Sequence, residues 1–272
     1  MMLLLDIGNT NLRWTLSGAG THGEVRIVRH GGAVPIDLLA DWERLDAPER
    51  VVASNVGGAS VASAIGRATR AYWGLDVEFV QTRARFGALQ IAYRDPERFG
   101  VDRWLALVAA HRLVAEAVLV VDAGTAATFD LLLADGRHLG GLILPGVEMM
   151  RASLLAGTLI PRIASEPTDE PWAVDTGPAV AAGSLQALAA LATRLYDRLR
   201  QETQAPPALI LTGGDAERLV PAMDRPCRVV PDLVLRGLSE VVSGEVVDIG
   251  CVSDALGGSE SGESAPGAGK VQ

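Results

Sequence analysis

Leu3-Leu4-Leu5-Asp6-Ile7-Gly8-Asn9-Thr10, near the start, and Val118-Leu119-Val120-Val121-Asp122-Ala123-Gly124-Thr125, in the middle, decide how this chain is read. Each is an apolar run that ends in an acid, a glycine and a hydroxyl, and each leads into a second strand-like segment. An acid beside a glycine is common in turns, where glycine supplies positive φ. Recurrence at two matching strand ends points further, to two hairpin loops facing each other across a cleft. Glycines there let backbone N–H groups approach phosphate oxygens, while the carboxylates hold a cation.

Composition narrows what such a cleft can do. The 272 residues suit one large or two modest domains. A content of 49% hydrophobic and 21% charged residues is that of a soluble globular protein. No apolar stretch reaches the roughly 18–20 residues of a membrane span, so no membrane partner is expected. The start, Met1-Met2-Leu3-Leu4-Leu5-Asp6, lacks a basic region, and no signal peptide is expected. Cys227 and Cys251 lack metal-ligand spacing and fit a reduced, cytoplasmic setting. His22, His30, His111 and His138 are scattered and read as surface or incidental residues, with no zinc site.

The net charge of −9 argues against nucleic acid as a partner. The only lysine, Lys270, lies at the extreme C-terminus. A phosphate loop of the Gly-Lys-Ser/Thr type is therefore excluded, as is Schiff-base chemistry. Any phosphate handled here must meet backbone N–H groups, hydroxyls, a metal or arginine.

The first half reads as three strands (Leu3–Asp6, Leu12–Leu16, Glu24–Arg29), a helix (Ile36–Leu45), a strand (Val51–Ser54), a helix (Val61–Tyr72) and a strand (Val77–Gln81). A loop over Thr82–Gly100 follows. Val101, Trp104, Leu105 and Val108 then recur at the spacing of an amphipathic helix. The second half repeats the scheme: a meander of Val118–Asp122, Ala127–Leu133 and His138–Leu144, with Asp135-Gly136 as its tight turn. Helices are expected after Pro145-Gly146 and over Pro178–Gln201, and a strand over Leu209–Leu211 ends in Thr212-Gly213-Gly214-Asp215. The expected architecture is α/β, two ribonuclease H-like domains in duplicate over residues 1–116 and 117–256, with the active site between them. Residues 257–272, rich in Gly, Ser and Glu, are expected to be a disordered tail. A Rossmann fold fits less well, because the first turn leads into a strand and Gly-x-Gly-x-x-Gly is missing.

Such a pair of loops suits a nucleoside triphosphate. Asn9, Thr10 and Thr125 can donate to phosphoryl oxygens, and Asp6 can hold Mg²⁺ directly or through water. Arg13 either reaches a phosphate or is a solvated strand residue. Gly213 and Gly214 permit close approach of a nucleoside, or simply serve a strand-to-helix turn. Asp102, in Gly100-Val101-Asp102-Arg103, stands in a helix first turn, where an acid is favoured by free N–H groups. Beside a phosphate-transfer cleft it can accept a hydroxyl proton, with Arg103 steadying developing charge. Tyr93 is open to substrate contact or packing. Asp175-Thr176 precedes a long helix, so either residue can be its N-cap, or the helix start can face an anionic substrate.

Taken in order, five motifs resemble the type III pantothenate kinases of the acetate and sugar kinase/actin-like superfamily. They are Asp6-Ile7-Gly8-Asn9-Thr10, Gly100-Val101-Asp102-Arg103, Asp122-Ala123-Gly124-Thr125, Gly140-Gly141-Leu142-Ile143-Leu144-Pro145-Gly146 and Thr212-Gly213-Gly214. The resemblance implies ATP-dependent phosphorylation of pantothenate to 4′-phosphopantothenate, the first step toward coenzyme A, by a protein that is usually a homodimer. It implies that Asp6, Ile7, Gly8, Asn9, Thr10, Asn11, Leu12, Arg13 and Thr125 contact ATP and that Asp102 accepts the proton. It further implies that Tyr93, Gly100, Val101, Asp102, Arg103 and Thr176 bind pantothenate. Asp122 would hold a monovalent cation, K⁺ or NH₄⁺, beside the Mg²⁺ on ATP.

Overall fold

A computed structural model describes residues 1–18, 21–161, 172–244 and 250–251. The expected disordered tail and the polar segment Ser165–Pro171 lie outside the described residues.

The first half opens with β1 (Met2–Ile7), β2 (Asn11–Gly18), β3 (Thr21–His22) and β4 (Arg26–Arg29). Helix α1 (Ile36–Trp42) leads to β5 (Arg50–Asn55), and α2 (Ala59–Trp73) leads to β6 (Val77–Phe79). β1 runs antiparallel to β2 and parallel to β5, and β5 continues in parallel to β6. The segment expected to be one loop contains a small hairpin, β7 (Arg85–Phe86) with β8 (Leu89–Gln90), and a 3-10 turn at Pro96–Arg98.

Helix α3 (Val101–Leu113) connects the halves. The second half then repeats the pattern with β9 (Val118–Ala123), β10 (Ala126–Leu132), β11 (His138–Pro145), α4 (Val147–Ala156), α5 (Thr176–Thr203), β12 (Ala208–Thr212), α6 (Ala216–Leu219) and β13 (Arg228–Val229). Its sheet order is β11-β10-β9-β12-β13: an antiparallel meander extended by two parallel strands, as in the first sheet. The duplicated ribonuclease H-like architecture is present. Helix α7 (Leu233–Ser243) and a two-residue strand, β14 (Gly250–Cys251), which pairs with β6, complete the described chain.

Strand alternation divides each sheet into two apolar faces. Leu3, Leu5 and Ile7 of β1 pack with Leu38 and Trp42 of α1 and Ile65 of α2. Leu119, Val121 and Ala123 of β9 pack with Leu188 and Leu199 of α5. The opposite faces, Leu4 and Val52 from one sheet and Val118, Val120 and Ile210 from the other, share a single core with α3 and α7. Helix α7 reaches back to β1, β2 and β5 as well as to α3.

This central position corrects the reading of α3 as amphipathic. Every residue from Arg103 to Ala110 is buried, because β9 and β10 cover one side and α7 covers another. The small Ala106, Ala109 and Ala110 accept that packing, whereas a local period count sees only the larger side chains. The reading of the histidines as incidental is also corrected for two of them. His30 and His138 are buried, and each holds a specific polar partner. No helix among the described residues is long and apolar enough to cross a membrane.

Candidate active site

The same alternation sets the chemistry. Asp6 shares the face of Leu4, and Asp122 shares the face of Val120, so both carboxylates end their strands on the inner sides of the two sheets. Between them lies a cleft of about 650 Å³, lined among others by Asp6, Asn9, Thr10, Asp102, Asp122 and Thr125. The two turns meet: Thr10 Oγ1 is 2.8 Å from Thr125 Oγ1, across 115 positions of sequence. Gly8, Asn11, Arg13 and Gly214 also line this cleft.

Strand register reveals a position-for-position comparison of the halves. Asp6 lies opposite Arg13 on β2 and Ser54 on β5, and Asp122 lies opposite Thr128 on β10 and Thr212 on β12. Arg13 Nη1 stands 3.5 Å from Asp6 Oδ2, and the Ser54 hydroxyl donates to Asp6 Oδ1 at 2.8 Å. The first acid therefore has an arginine where the second has a threonine. Burial raises the Asp6 carboxyl above its ordinary value, with Arg13 and Ser54 opposing. Burial also pushes Asp122 up to about 7; the charge of Asp102 adds to this, and Arg13 relieves it only in part. Asp102 is raised by burial as well, against the Arg103 backbone N–H, which donates to its Oδ1 at 2.8 Å.

Asp6, Asp102 and Asp122 thus crowd one cleft in which Arg13 is the arginine acting on Asp122, and Asp122 has no side-chain hydrogen-bond donor among the described residues. That donor set fits cations brought in with a polyphosphate. No three His, Cys, Asp or Glu residues group as a self-sufficient metal site among the described residues, so a cation held here would need further ligands from phosphate or water.

The remaining predicted residues are spread over several places. Ile7 and Leu12 bury their side chains in the first-half core, leaving only backbone to face a ligand. Gly100 is the N-cap of α3, and Val101 opens that helix. Gly213, at φ 92°, passes so close to Asp122 that a Cβ would lie 2.3 Å from the Asp122 carboxylate, so only glycine fits. Tyr93, Arg103 and Thr176 do not line the cleft. Arg103 is buried on Asp130, and its Nη1 donates to the Tyr93 hydroxyl at 3.3 Å. Asp175 is the N-cap of α5 and accepts from the Thr176 N–H at 2.6 Å.

Sequence reasoning missed Asp130, His138 and His30. Asp130 had a readable signal, a charge inside the apolar strand Ala127–Leu133, which requires a buried partner. The histidines had none: His30 braces Gly8 from 22 residues away, and His138 is read only once Asp130, eight residues before it, is known to be buried. His30 Nε2 contacts the Gly8 carbonyl at 2.7 Å, and its backbone N–H donates to the Thr10 carbonyl at 3.0 Å, bracing the first turn.

Comparison with known proteins shows the family. A family model described as type III pantothenate kinase matches residues 2–198. A type III pantothenate kinase of Nitrosococcus oceani is 36% identical over 248 residues, covering 89% of this chain and 93% of the relative. One from Burkholderia thailandensis is 36% identical over 252 residues, covering 87% and 96%. Among solved structures, a Sinorhizobium meliloti protein described as a 2-dehydro-3-deoxygalactonokinase superposes with a TM-score of 0.58 at 16% identity, over 90% of this chain and 100% of that one. A Campylobacter jejuni protein assigned to the Baf family of transcriptional activators gives 0.55 at 21%, over 89% and 97%. These two likenesses concern the fold alone. The family match over residues 2–198 and the relatives aligned along nearly nine-tenths of the sequence lead to one conclusion: the chain belongs to the type III pantothenate kinase family.

Proposed function

We propose that ATP lies in the cleft between the Asp6–Thr10 and Asp122–Thr125 turns and that Asp102 receives the proton of the pantothenate primary hydroxyl during transfer. The activity is that of the family, ATP-dependent phosphorylation of pantothenate on the way to coenzyme A. The observation that carries the reading is the meeting of the two turns at Thr10 and Thr125 over a cleft that also contains Asp102.

In this mechanism backbone N–H groups of the Gly8–Thr10 turn and the hydroxyls of Thr10 and Thr125 hold phosphoryl oxygens, with Arg13 within reach as the nearby cation. Gly214, which lines the cleft with open space beside it, leaves room for the nucleoside, and Gly213 sets that turn against Asp122. The pantothenate hydroxyl oxygen bonds to the γ-phosphorus, the bridging oxygen–phosphorus bond breaks, ADP departs and the proton passes to Asp102. Because the transition state is loose, no strong base is needed, and the Asp102 carboxylate suffices to orient the hydroxyl and take its proton late. A divalent cation beside Asp6 and a monovalent one beside Asp122 would supply charge neutralisation that a chain with a single lysine lacks. Tyr93, Gly100, Val101, Arg103 and Thr176 form the pantothenate side of the site. Incubation of the protein with ATP, Mg²⁺, K⁺ and pantothenate should yield phosphopantothenate and ADP in equal amounts by mass spectrometry. ATP bound but no phosphopantothenate would refute the reading.

A homodimer is part of the proposal. β11 is an edge strand, and Leu139, Leu142 and Ile143 on it are exposed, as are Met149 and Leu154 of the adjoining α4. An apolar edge of this kind is managed by covering it, and a second copy is the occupant the family implies. Sedimentation should give twice the 28.5 kDa chain mass and fall to one chain in Ile143→Asp. A monomer before substitution would exclude the dimer.

A further inference from the structure

Away from the nucleotide cleft, four side chains from three parts of the chain converge on one buried point. Asp130, on β10, is 2% exposed and accepts from Arg103 Nε at 2.8 Å and Nη2 at 2.6 Å, a bidentate pair. His138, at the start of β11, places Nε2 3.1 Å from Asp130 Oδ1. Its other ring nitrogen, Nδ1, accepts from the Ala92 backbone N–H at 3.4 Å, which assigns the proton to Nε2 and makes His138 a donor to Asp130. Arg103 in turn donates to Tyr93 and lies over the ring of Phe99, 4.6 Å from its centroid. Even the backbone is shaped for the pair: a Cβ on Gly141 would fall 2.3 Å from Asp130 Oδ1 and 2.7 Å from Arg103 Nη2.

A buried ion pair is a poor source of stability, because desolvation consumes most of the attraction, but it holds its partners in one geometry. The partners here are informative. The backbone N–H of Arg103 holds the carboxylate of Asp102, and its guanidinium holds Tyr93. His138 grips the same segment one residue earlier, at Ala92. None of these four side chains lines the nucleotide cleft. We propose that Asp130 and His138 are positioning residues that act through Arg103, fixing Tyr93 and the first turn of α3 for the acceptor substrate and not for ATP. The proposal rests on the reading of this face as the pantothenate side.

The test is steady-state kinetics on His138→Ala and His138→Gln beside the unsubstituted protein, with KM measured separately for pantothenate and ATP and with thermal unfolding as a fold control. Loss of a hydrogen bond to the buried carboxylate should raise the pantothenate KM by about tenfold or more in His138→Ala, with the ATP KM unmoved. Gln, which keeps a donor near the Nε2 position, should recover most of the loss. Asp130→Asn should act in the same sense and more strongly. If His138→Ala fails to fold, His138→Asn, which keeps an acceptor for Ala92 but cannot reach Asp130, supplies the same contrast with Gln. Wild-type KM values for both substrates in a variant that merely melts earlier would overturn the positioning role, as would an equal rise in both. Unsubstituted protein that leaves pantothenate unphosphorylated would instead overturn the parent reading, and this one with it.

Discussion

Asp102→Asn should lower kcat for pantothenate phosphorylation by roughly 10²- to 10⁴-fold, the usual contribution of a positioned proton acceptor, while ATP still binds. The substitution is nearly isosteric, and the amide oxygen can still accept the Arg103 N–H that Asp102 Oδ1 accepts, so α3 keeps its start. What disappears is the negative charge proposed to orient the hydroxyl and take its proton. That charge also raises the carboxyls of Asp6 and Asp122, so its removal eases the electrostatics on the nucleotide side. ATP affinity, read by calorimetry, should therefore hold or improve. The pH profile follows from the same site. Burial raises the Asp102 carboxyl, and only the ionised form accepts a proton, so turnover should fall on acidification at a pH above the ordinary carboxylate range. Full turnover in Asp102→Asn would remove it from the proton path.

The second large effect concerns the monovalent cation proposed at Asp122. Turnover in K⁺ should exceed that in Na⁺ by on the order of tenfold, equivalent to about 1.4 kcal/mol, and Asp122→Asn should be slow and indifferent to the choice. The cause is the asymmetry between the halves: Asp6 faces Arg13, whereas the equivalent partner of Asp122 is Thr128. Stability provides an independent readout. With its carboxyl pushed up to about 7, folded Asp122 retains a proton that the unfolded chain has already lost. Stability therefore falls as pH rises from the ordinary carboxylate value through about 7, where the charged form must be held in the cleft. A bound cation favours that charged form. Thermal stabilisation by KCl, compared with choline chloride at equal ionic strength, should thus grow as pH rises through neutrality and be absent in Asp122→Asn. Equal rates in both salts, or stabilisation that ignores pH, would count against this assignment.

The parts of this arrangement that were legible in the sequence are those governed by local rules. The uninterrupted apolar runs Leu3-Leu4-Leu5 and Val118–Val121 locate both strands, and the acid-glycine turns locate their ends. Which face each acid takes was not legible, because both faces of these strands are apolar; the core that the two sheets share with α3 and α7 decides it. What escaped local rules depends on residues far apart in sequence. The burial of α3 requires α7, which returns from the end of the described chain. Asp130 becomes intelligible only when Arg103 and His138 are set beside it. The exposed face of α4 has the opposite cause: Met149 and Leu154 look like core residues, yet this chain alone does not cover them.

The central claim is that the two turns and Asp102 surround one reaction centre. A crystal structure of the protein with a non-hydrolysable ATP analogue, Mg²⁺, K⁺ and pantothenate measures this directly. The γ-phosphate should lie against the Thr10 and Thr125 hydroxyls, with the pantothenate primary hydroxyl about 2.6–3.2 Å from the Asp102 carboxylate and aimed at the γ-phosphorus. Nucleotide bound outside this cleft, or a pantothenate hydroxyl turned away from Asp102, would contradict the account.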